Sequence, residues 1–166
     1  MKKVVIVGAS RTPMGGFHGE MSQATAPELG GSAIKGAIEN AGAKNESIDE
    51  VIMGNVLSAG QGQAPARQAS FNAGLSENVP AVTLNKMCGS GLKSVIYAHD
   101  QIKAGTSELV AAGGMESMTN APYLSPKMRV GARVGHQQMY DHMFLDGLED
   151  AYEPGRLMGT YAEDTA

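Results

Sequence analysis

Val79-Pro80-Ala81-Val82-Thr83-Leu84-Asn85-Lys86-Met87-Cys88-Gly89-Ser90-Gly91-Leu92 passes from an apolar run into a helical pattern with almost no loop between. Val79 to Leu84 has the length and β-branched content of a buried strand. The helix that follows is expected from about Cys88 to Ala104, with Gly105 ending it. A strand feeding a helix so directly points to a parallel sheet, whose crossovers pack back onto the sheet face. The alternation continues in both directions. Downstream, Leu109 to Gly114 reads as another strand. Upstream, Pro65 opens a short helix through Phe71 that Gly74 closes, and Val51 to Val56 reads as a strand. Before these, Thr25-Ala26-Pro27-Glu28 has the form of a capping box with proline in the first turn. Leu29, Ala33, Ile34, Ala37, Ile38 and Ala41 then recur at helical spacing until Gly42. Val4 to Val7, bounded by Gly8, is the expected first strand. The order βαβαβαβ predicts an α/β fold with a mostly parallel sheet, right-handed crossovers and helices on both faces.

From about Ser117 the pattern changes. Met118, Met128, Met139, Met143 and Met158 are scattered among Pro122, Pro126, Gly131, Gly135 and Pro154 without a period. Basic Lys127, Arg129 and Arg133 lie between them. This reads as an extended excursion that packs on something else, with one short helix near Tyr140 to Leu148. Met158 to Ala166 reads as the first turns of a further helix. The chain has 13 Lys+Arg against 17 Asp+Glu, which offers no basic field for nucleic acid or an anionic membrane. No apolar stretch approaches the roughly 20 residues of a membrane span, and the run after Met1-Lys2-Lys3 is shorter than the ~7–15 residues of a signal core. A cytoplasmic location is expected. Glycine is the compositional outlier, 22 of 166 residues, about twice the usual ~7%. These glycines fall at the ends of apolar runs, as tight turns and close packing require.

Cys88 is the single cysteine, so neither an internal disulfide nor a cysteine-based zinc site can form. At a strand-to-helix turn its sulfur meets free N–H groups and the positive end of the helix, which favour thiolate over thiol. Gly89 and Gly91 leave the sulfur and the backbone amides open. Those amides, that of Cys88 included, can stabilise the oxyanion formed when a thiolate attacks a carbonyl. A small buried cysteine packed in a tight turn is the other reading of the same residues. Ser90, Ser94 and Ala98 form a stripe of small residues that lets another element approach the helix. The histidines offer no base. His99 lies on the face of Leu92, Val95 and Ile102 and is expected to be partly buried; His18 sits in a Gly-rich loop; no carboxylate pattern marks His136 or His142. Arg67, with Gln61 and Gln63 nearby, is expected to hold a loop or a subunit contact. A dinucleotide turn fails on spacing, because Ser10 stands where the second glycine after Gly8 is needed.

Arg11-Thr12-Pro13, the stretch Gly54-Asn55-Val56-Leu57 with Gly60-Gln61-Gly62-Gln63-Ala64-Pro65-Ala66-Arg67-Gln68, the block Asn85-Lys86-Met87-Cys88-Gly89-Ser90-Gly91, and Gly113-Gly114-Met115-Glu116-Ser117-Met118 resemble the N-terminal half of a thiolase. Order and spacing agree over essentially the whole chain, and acetyl-CoA acetyltransferases are the nearest kind. The resemblance implies a thiolase-like α/β half-fold. Residues 1–118 would form the N-terminal core without its last strand, 119–166 would begin an inserted loop and oligomerisation region, and the C-terminal half would be absent. It implies ping-pong acyl transfer through Cys88, with the Cys88 amide as one oxyanion donor. The reaction would be condensation of two acetyl-CoA to acetoacetyl-CoA, or thiolysis of a 3-ketoacyl-CoA. Coenzyme A thioesters would be substrates, with no cofactor and no metal.

By the same resemblance Leu148 and Met158 line the pantetheine tunnel. Where many biosynthetic members have histidine, this chain has Leu157. The histidine that activates the nucleophile, the second cysteine and the asparagine of the other oxyanion hole would all belong to the C-terminal half, so the 166 residues alone are expected to be inactive. Dimers or dimers of dimers are implied, with the strand near Val82 and the excursion from about Thr119 to Met139 at the contacts. A ketoacyl-synthase-like condensing enzyme, and a non-catalytic chain acting only in assembly, are the alternative readings.

Overall fold

The computed structural model describes residues 3–166; Met1 and Lys2, the basic tip of the chain, lie outside the described residues. Local chemistry sets the first helix. The Thr25 hydroxyl accepts from the Glu28 N–H at 3.4 Å, and the Glu28 carboxylate accepts from the Thr25 N–H at 2.8 Å. This reciprocal cap opens α1 (Ala26–Ala41), and Gly42, left-handed at φ 61°, ends it. A proline also opens α2 (Pro65–Asn72).

Three parallel strands, β1 (Glu50–Gly54), β2 (Ala81–Leu84) and β3 (Val110–Gly114), form one sheet in the order β2-β1-β3. Ile52 pairs with Val82 on one side and Ala112 on the other. The central strand β1 carries Val51, Ile52 and Met53 in succession, all at most 2% exposed. An unbroken apolar run is what a strand covered on both faces requires. Burying each of those side chains contributes about 1.5–3 kcal/mol. Val51 and Met53 join Ile34 and Ile38 of α1, Ala66 and Ala69 of α2, and Met115 in the main core. The helix α3 (Ser90–Ala104) packs against β1 and β3, on the face opposite α1 and α2. The α/β fold with a parallel sheet and helices on both faces is therefore present.

The expected first strand is not. Val4 to Val7 carries no regular structure and is unpaired, with Val5 69%, Ile6 80% and Val7 56% exposed. Its continuation is fastened to α1 instead. The Asn40 side chain donates to the Ala9 carbonyl at 2.9 Å, and Gly8 sits so close that a Cβ there would lie 2.3 Å from the Ala37 carbonyl oxygen. β-Branched residues favour an extended backbone, but a strand also needs a neighbour's N–H and C=O groups. No described strand runs beside this segment.

Beyond β3 the chain makes a short antiparallel pair, β4 (Tyr123–Leu124) with β5 (Tyr140–Asp141). The expected helix near Tyr140 to Leu148 is shorter than its sequence suggests: β5 takes its start, and it closes as a π-helical turn, Phe144–Leu148. The last element is α4 (Met158–Thr165), beginning where the sequence placed a helix start. No helix among the described residues is long and apolar enough to cross a membrane.

Candidate active site

Cys88 is exposed, and it is not the first residue of a helix. The helix starts two residues later, with Gly89 as a cap that has no side chain to satisfy the first amides. Met87 explains the delay: its φ of 48° is left-handed, so the helix cannot run back through it. Two side chains hold that conformation. The Asn85 side-chain Oδ1 accepts from the Met87 N–H at 2.9 Å. The Ser90 hydroxyl donates to the Met87 carbonyl at 2.6 Å and accepts from the Lys86 N–H at 2.8 Å. Cys88 thus stands at the tip of a clamped turn ahead of an uncapped helix. Its exposure overturns the reading of a small buried cysteine.

The turn is seated by glycines on the strands below. A Cβ on Gly54 would lie 2.6 Å from both the carbonyl carbon and the Cβ of Ser90. A Cβ on Gly114 would lie 3.2 Å from the Gly91 Cα. The absence of side chains at the ends of β1 and β3 lets the first turn of α3 settle onto them. Ser94 continues the contact, its hydroxyl 2.6 Å from the Gly91 carbonyl and 2.7 Å from that of Gly113. The small stripe Ser90, Ser94 and Ala98 is buried towards the sheet, which leaves Leu92 69% exposed on the outer side of the helix.

A second cluster, missed by sequence reasoning, organises the loop after β1. Glu116, just past β3, accepts from the Val56 N–H at 2.8 Å, the Leu57 N–H at 3.0 Å and the Asn55 side-chain amide at 2.8 Å. Burial pushes its carboxyl above the ordinary value, opposed by the Val56 and Leu57 N–H groups. His142 is buried between two partners: its Nδ1 lies 2.6 Å from an Asp146 oxygen, and its Nε2 lies 3.3 Å from the Ala59 N–H. The four-residue spacing of His142 and Asp146 was the available signal. Farther along the loop, Gln68 donates to the carbonyls of Gln61 and Gln63, both at 2.8 Å. Arg67 reaches the carbonyls of Val79 at 2.7 Å and Glu77 at 2.6 Å and lies over the Phe71 ring. It holds a loop, as its sequence context suggested.

Leu148 is half-buried at the end of the π-helical turn, and Met158 is exposed at the start of α4. An isolated bridge between Glu149 and Leu157 draws these two residues together at the base of one loop. Cys88 lies on a different element. The other histidines are surface groups: His18 and His136 are exposed, and His99, expected to be partly buried, is exposed beside Asp100 at 3.0 Å. Two open depressions lie away from Cys88. One, of about 500 Å³, is bordered by Lys127, Arg133 and His136; the other, of about 330 Å³, by Ile52, Val82 and Tyr97.

This arrangement, with an accessible thiol before uncapped helix amides and a tied loop alongside, can be set against known proteins. Residues 4–166 match the family described as thiolase, N-terminal domain. The chain belongs to the thiolase family. It is 52% identical over 166 residues, its full length, to an acetyl-CoA acetyltransferase of Cupriavidus necator, and covers 42% of that protein. It is 51% identical over 160 residues, 96% of the chain, to the cytosolic acetyl-CoA acetyltransferase of Gibberella zeae, and covers 40% of it. The thiolase Acat5 of Ascaris suum, crystallised in complex with coenzyme A, has the same fold, with a TM-score of 0.90 and 39% identity; the match takes in 96% of this chain and 41% of that one. This thiolase chain thus spans about two fifths of the length of the relatives it matches.

Proposed function

We propose that this chain supplies the nucleophilic half of a thiolase-type acyl-CoA acyltransferase, with Cys88 as the acyl carrier. The observation that carries the reading is the exposed Cys88 on a turn clamped by Ser90, directly ahead of a helix with no side-chain cap. The Cys88 sulfur, as thiolate, adds to the thioester carbonyl of an acyl-CoA, and the developing oxyanion is met by backbone amides, that of Cys88 among them. The carbonyl re-forms as the carbon–sulfur bond to CoA breaks, and CoA leaves as a thiol after taking up a proton. A second acetyl-CoA, as the carbanion of its methyl group, takes the acetyl group from Cys88 to give acetoacetyl-CoA; in the reverse direction CoA cleaves a 3-ketoacyl-CoA. Acetyl-CoA as substrate is supported by the acetyl-CoA acetyltransferases at 52% and 51% identity. The coenzyme A complex of the Ascaris suum relative supports a CoA thioester as substrate.

Residues 1–118 form the N-terminal core of this reading, and 119–166 begin the inserted loop region. Leu148 and Met158, joined through the Glu149 and Leu157 bridge, line the pantetheine path. The base for Cys88 and the second cysteine belong to a C-terminal half, so the 166 residues alone are inactive in turnover. A cytoplasmic homotetramer is part of the proposal, with contacts at the edge strand β2, where Val82 is 46% exposed, and along Thr119 to Met139. Acetyl transfer tests the central claim. The chain is incubated with labelled acetyl-CoA, digested and mapped by mass spectrometry. Label on Cys88, absent from Cys88→Ser, is expected, without formation of acetoacetyl-CoA. Label confined to other residues would overturn the role of Cys88, and sustained turnover of acetoacetyl-CoA with CoA would overturn the incompleteness.

A further inference from the structure

The loop after β1 is held by Glu116 at its start and, second along the chain, by His142 at its middle. The second hold has a directional chemistry. Among the described residues the Ala59 N–H has no acceptor other than the His142 Nε2, at 3.3 Å. An N–H can only donate, so Nε2 carries no proton there. The ring's one proton is then on Nδ1, which faces an Asp146 oxygen at 2.6 Å. Asp146 lies within the π-helical turn Phe144–Leu148, and His142 stands two residues ahead of that turn. Leu57 completes the contact, since a Cβ on Gly147 would lie 3.0 Å from its Cδ2. The ring is buried and therefore cannot exchange these partners for water.

We propose that His142 is a positioning residue which, as the neutral ring protonated on Nδ1, locks the turn bearing Leu148 to the loop at Ala59. It acts through Leu148, and so its bearing on substrate rests on the reading of Leu148 as part of the pantetheine path; the lock itself does not. Two carboxylates face the ring, Asp146 from the turn and Glu116 from the end of β3. Asp146 is the one that fixes the tautomer, because it takes the Nδ1 proton while leaving Nε2 free for Ala59.

Long-range nitrogen–proton correlation spectra of the ¹⁵N-labelled 166-residue chain at neutral pH read the tautomer directly. His142 is expected to show a protonated Nδ1 and a bare Nε2; the reverse tautomer, or an averaged pair, would overturn the proposal. Amide exchange of Ala59 supplies the second reading. His142→Gln returns an acceptor oxygen near the position of Nε2, and its Ala59 protection should stay within about threefold of the parent. His142→Leu removes the acceptor, and protection should fall at least about tenfold. Equal exchange in the two variants would refute the lock. Should His142→Leu fail to fold, the tautomer of the parent chain and the Gln variant still decide. Neither measurement depends on acyl transfer, so a chain with the lock intact and Cys88 unlabelled would refute the proposed function alone.

Discussion

Gly54→Ala attacks the seat of the Cys88 turn without touching any residue of the turn itself. The added Cβ would lie 2.6 Å from the carbonyl carbon and Cβ of Ser90 and 2.7 Å from the Gly91 nitrogen. Ordinary contact begins near 3.4 Å, so the first turn of α3 must retreat by about 0.8 Å or β1 must give way. Two of the three obstructing atoms are backbone and cannot swing aside. Overpacking of this kind costs about 1–3 kcal/mol, and the upper end is expected here. The retreat also strains the Ser90 hydroxyl clamp on Met87 and Lys86, which holds Cys88 out of the helix. Urea unfolding followed by circular dichroism measures the loss, and titration of Cys88 with a disulfide reagent reports the turn. The expected result is a stability loss near 3 kcal/mol together with a changed rate of Cys88 modification. Gly16→Ala is the control, because nothing lies within 4 Å of its Cβ position. If Gly54→Ala were as stable as the control and its thiol reacted at the parent rate, the close seating of α3 would be refuted.

Removing the Glu116 carboxylate by Glu116→Ala leaves the Val56 and Leu57 N–H groups and the Asn55 amide without their acceptor. At about 1–3 kcal/mol per orphaned donor, less the relief of a buried charge, a loss of roughly 3 kcal/mol is expected in the same urea assay. Asp49 accepts from the Glu108 N–H at 2.6 Å and the Leu109 N–H at 3.0 Å, bonds that hold its carboxyl below the ordinary value. A lowered folded value adds stability above the unfolded value and loses it as pH falls through the folded one. The deficit of Asp49→Asn against the parent is therefore greatest at neutral pH and narrows below about pH 4, a trend that melting curves across pH would reveal. Arg67→Lys cannot reach the Glu77 and Val79 carbonyls with one planar fork, and faster amide exchange in the loop before β2 is expected.

The parts that could be read from residue order are those whose causes are local. The Thr25 and Glu28 cap, the prolines that open α1 and α2, and the glycines that end α1 and α3 act within a few residues, and each marked its element correctly. The apolar run Val51 to Met53 showed burial on both faces for the same reason. Val4 to Val7 misled because pairing depends on a neighbouring strand, which β-branched side chains cannot provide. Cys88 does fall at the passage from β2 into α3, but its exclusion from the helix depends on Met87 at φ 48° and on the Ser90 hydroxyl. The tie between Glu116 and the loop at Val56 and Leu57 joins the ends of neighbouring strands β3 and β1, which are far apart in the chain, and only the folded chain brings those groups together. Nothing around His142 in the sequence marks a metal ligand or a base, whereas its four-residue spacing to Asp146 marks a structural pair.

The strand order β2-β1-β3 has a consequence for the newborn chain. The central strand is made first, and both of its neighbours arrive later; Glu50 waits for Val110, sixty positions on. At translation rates of about 5–20 residues per second, that delay is roughly 3–12 s. Throughout it, Val51, Ile52 and Met53 have no complete sheet to enter. β1 is therefore the segment of the nascent polypeptide with the strongest claim on a chaperone, and translational pausing between β1 and β2 would leave it longest without either neighbour.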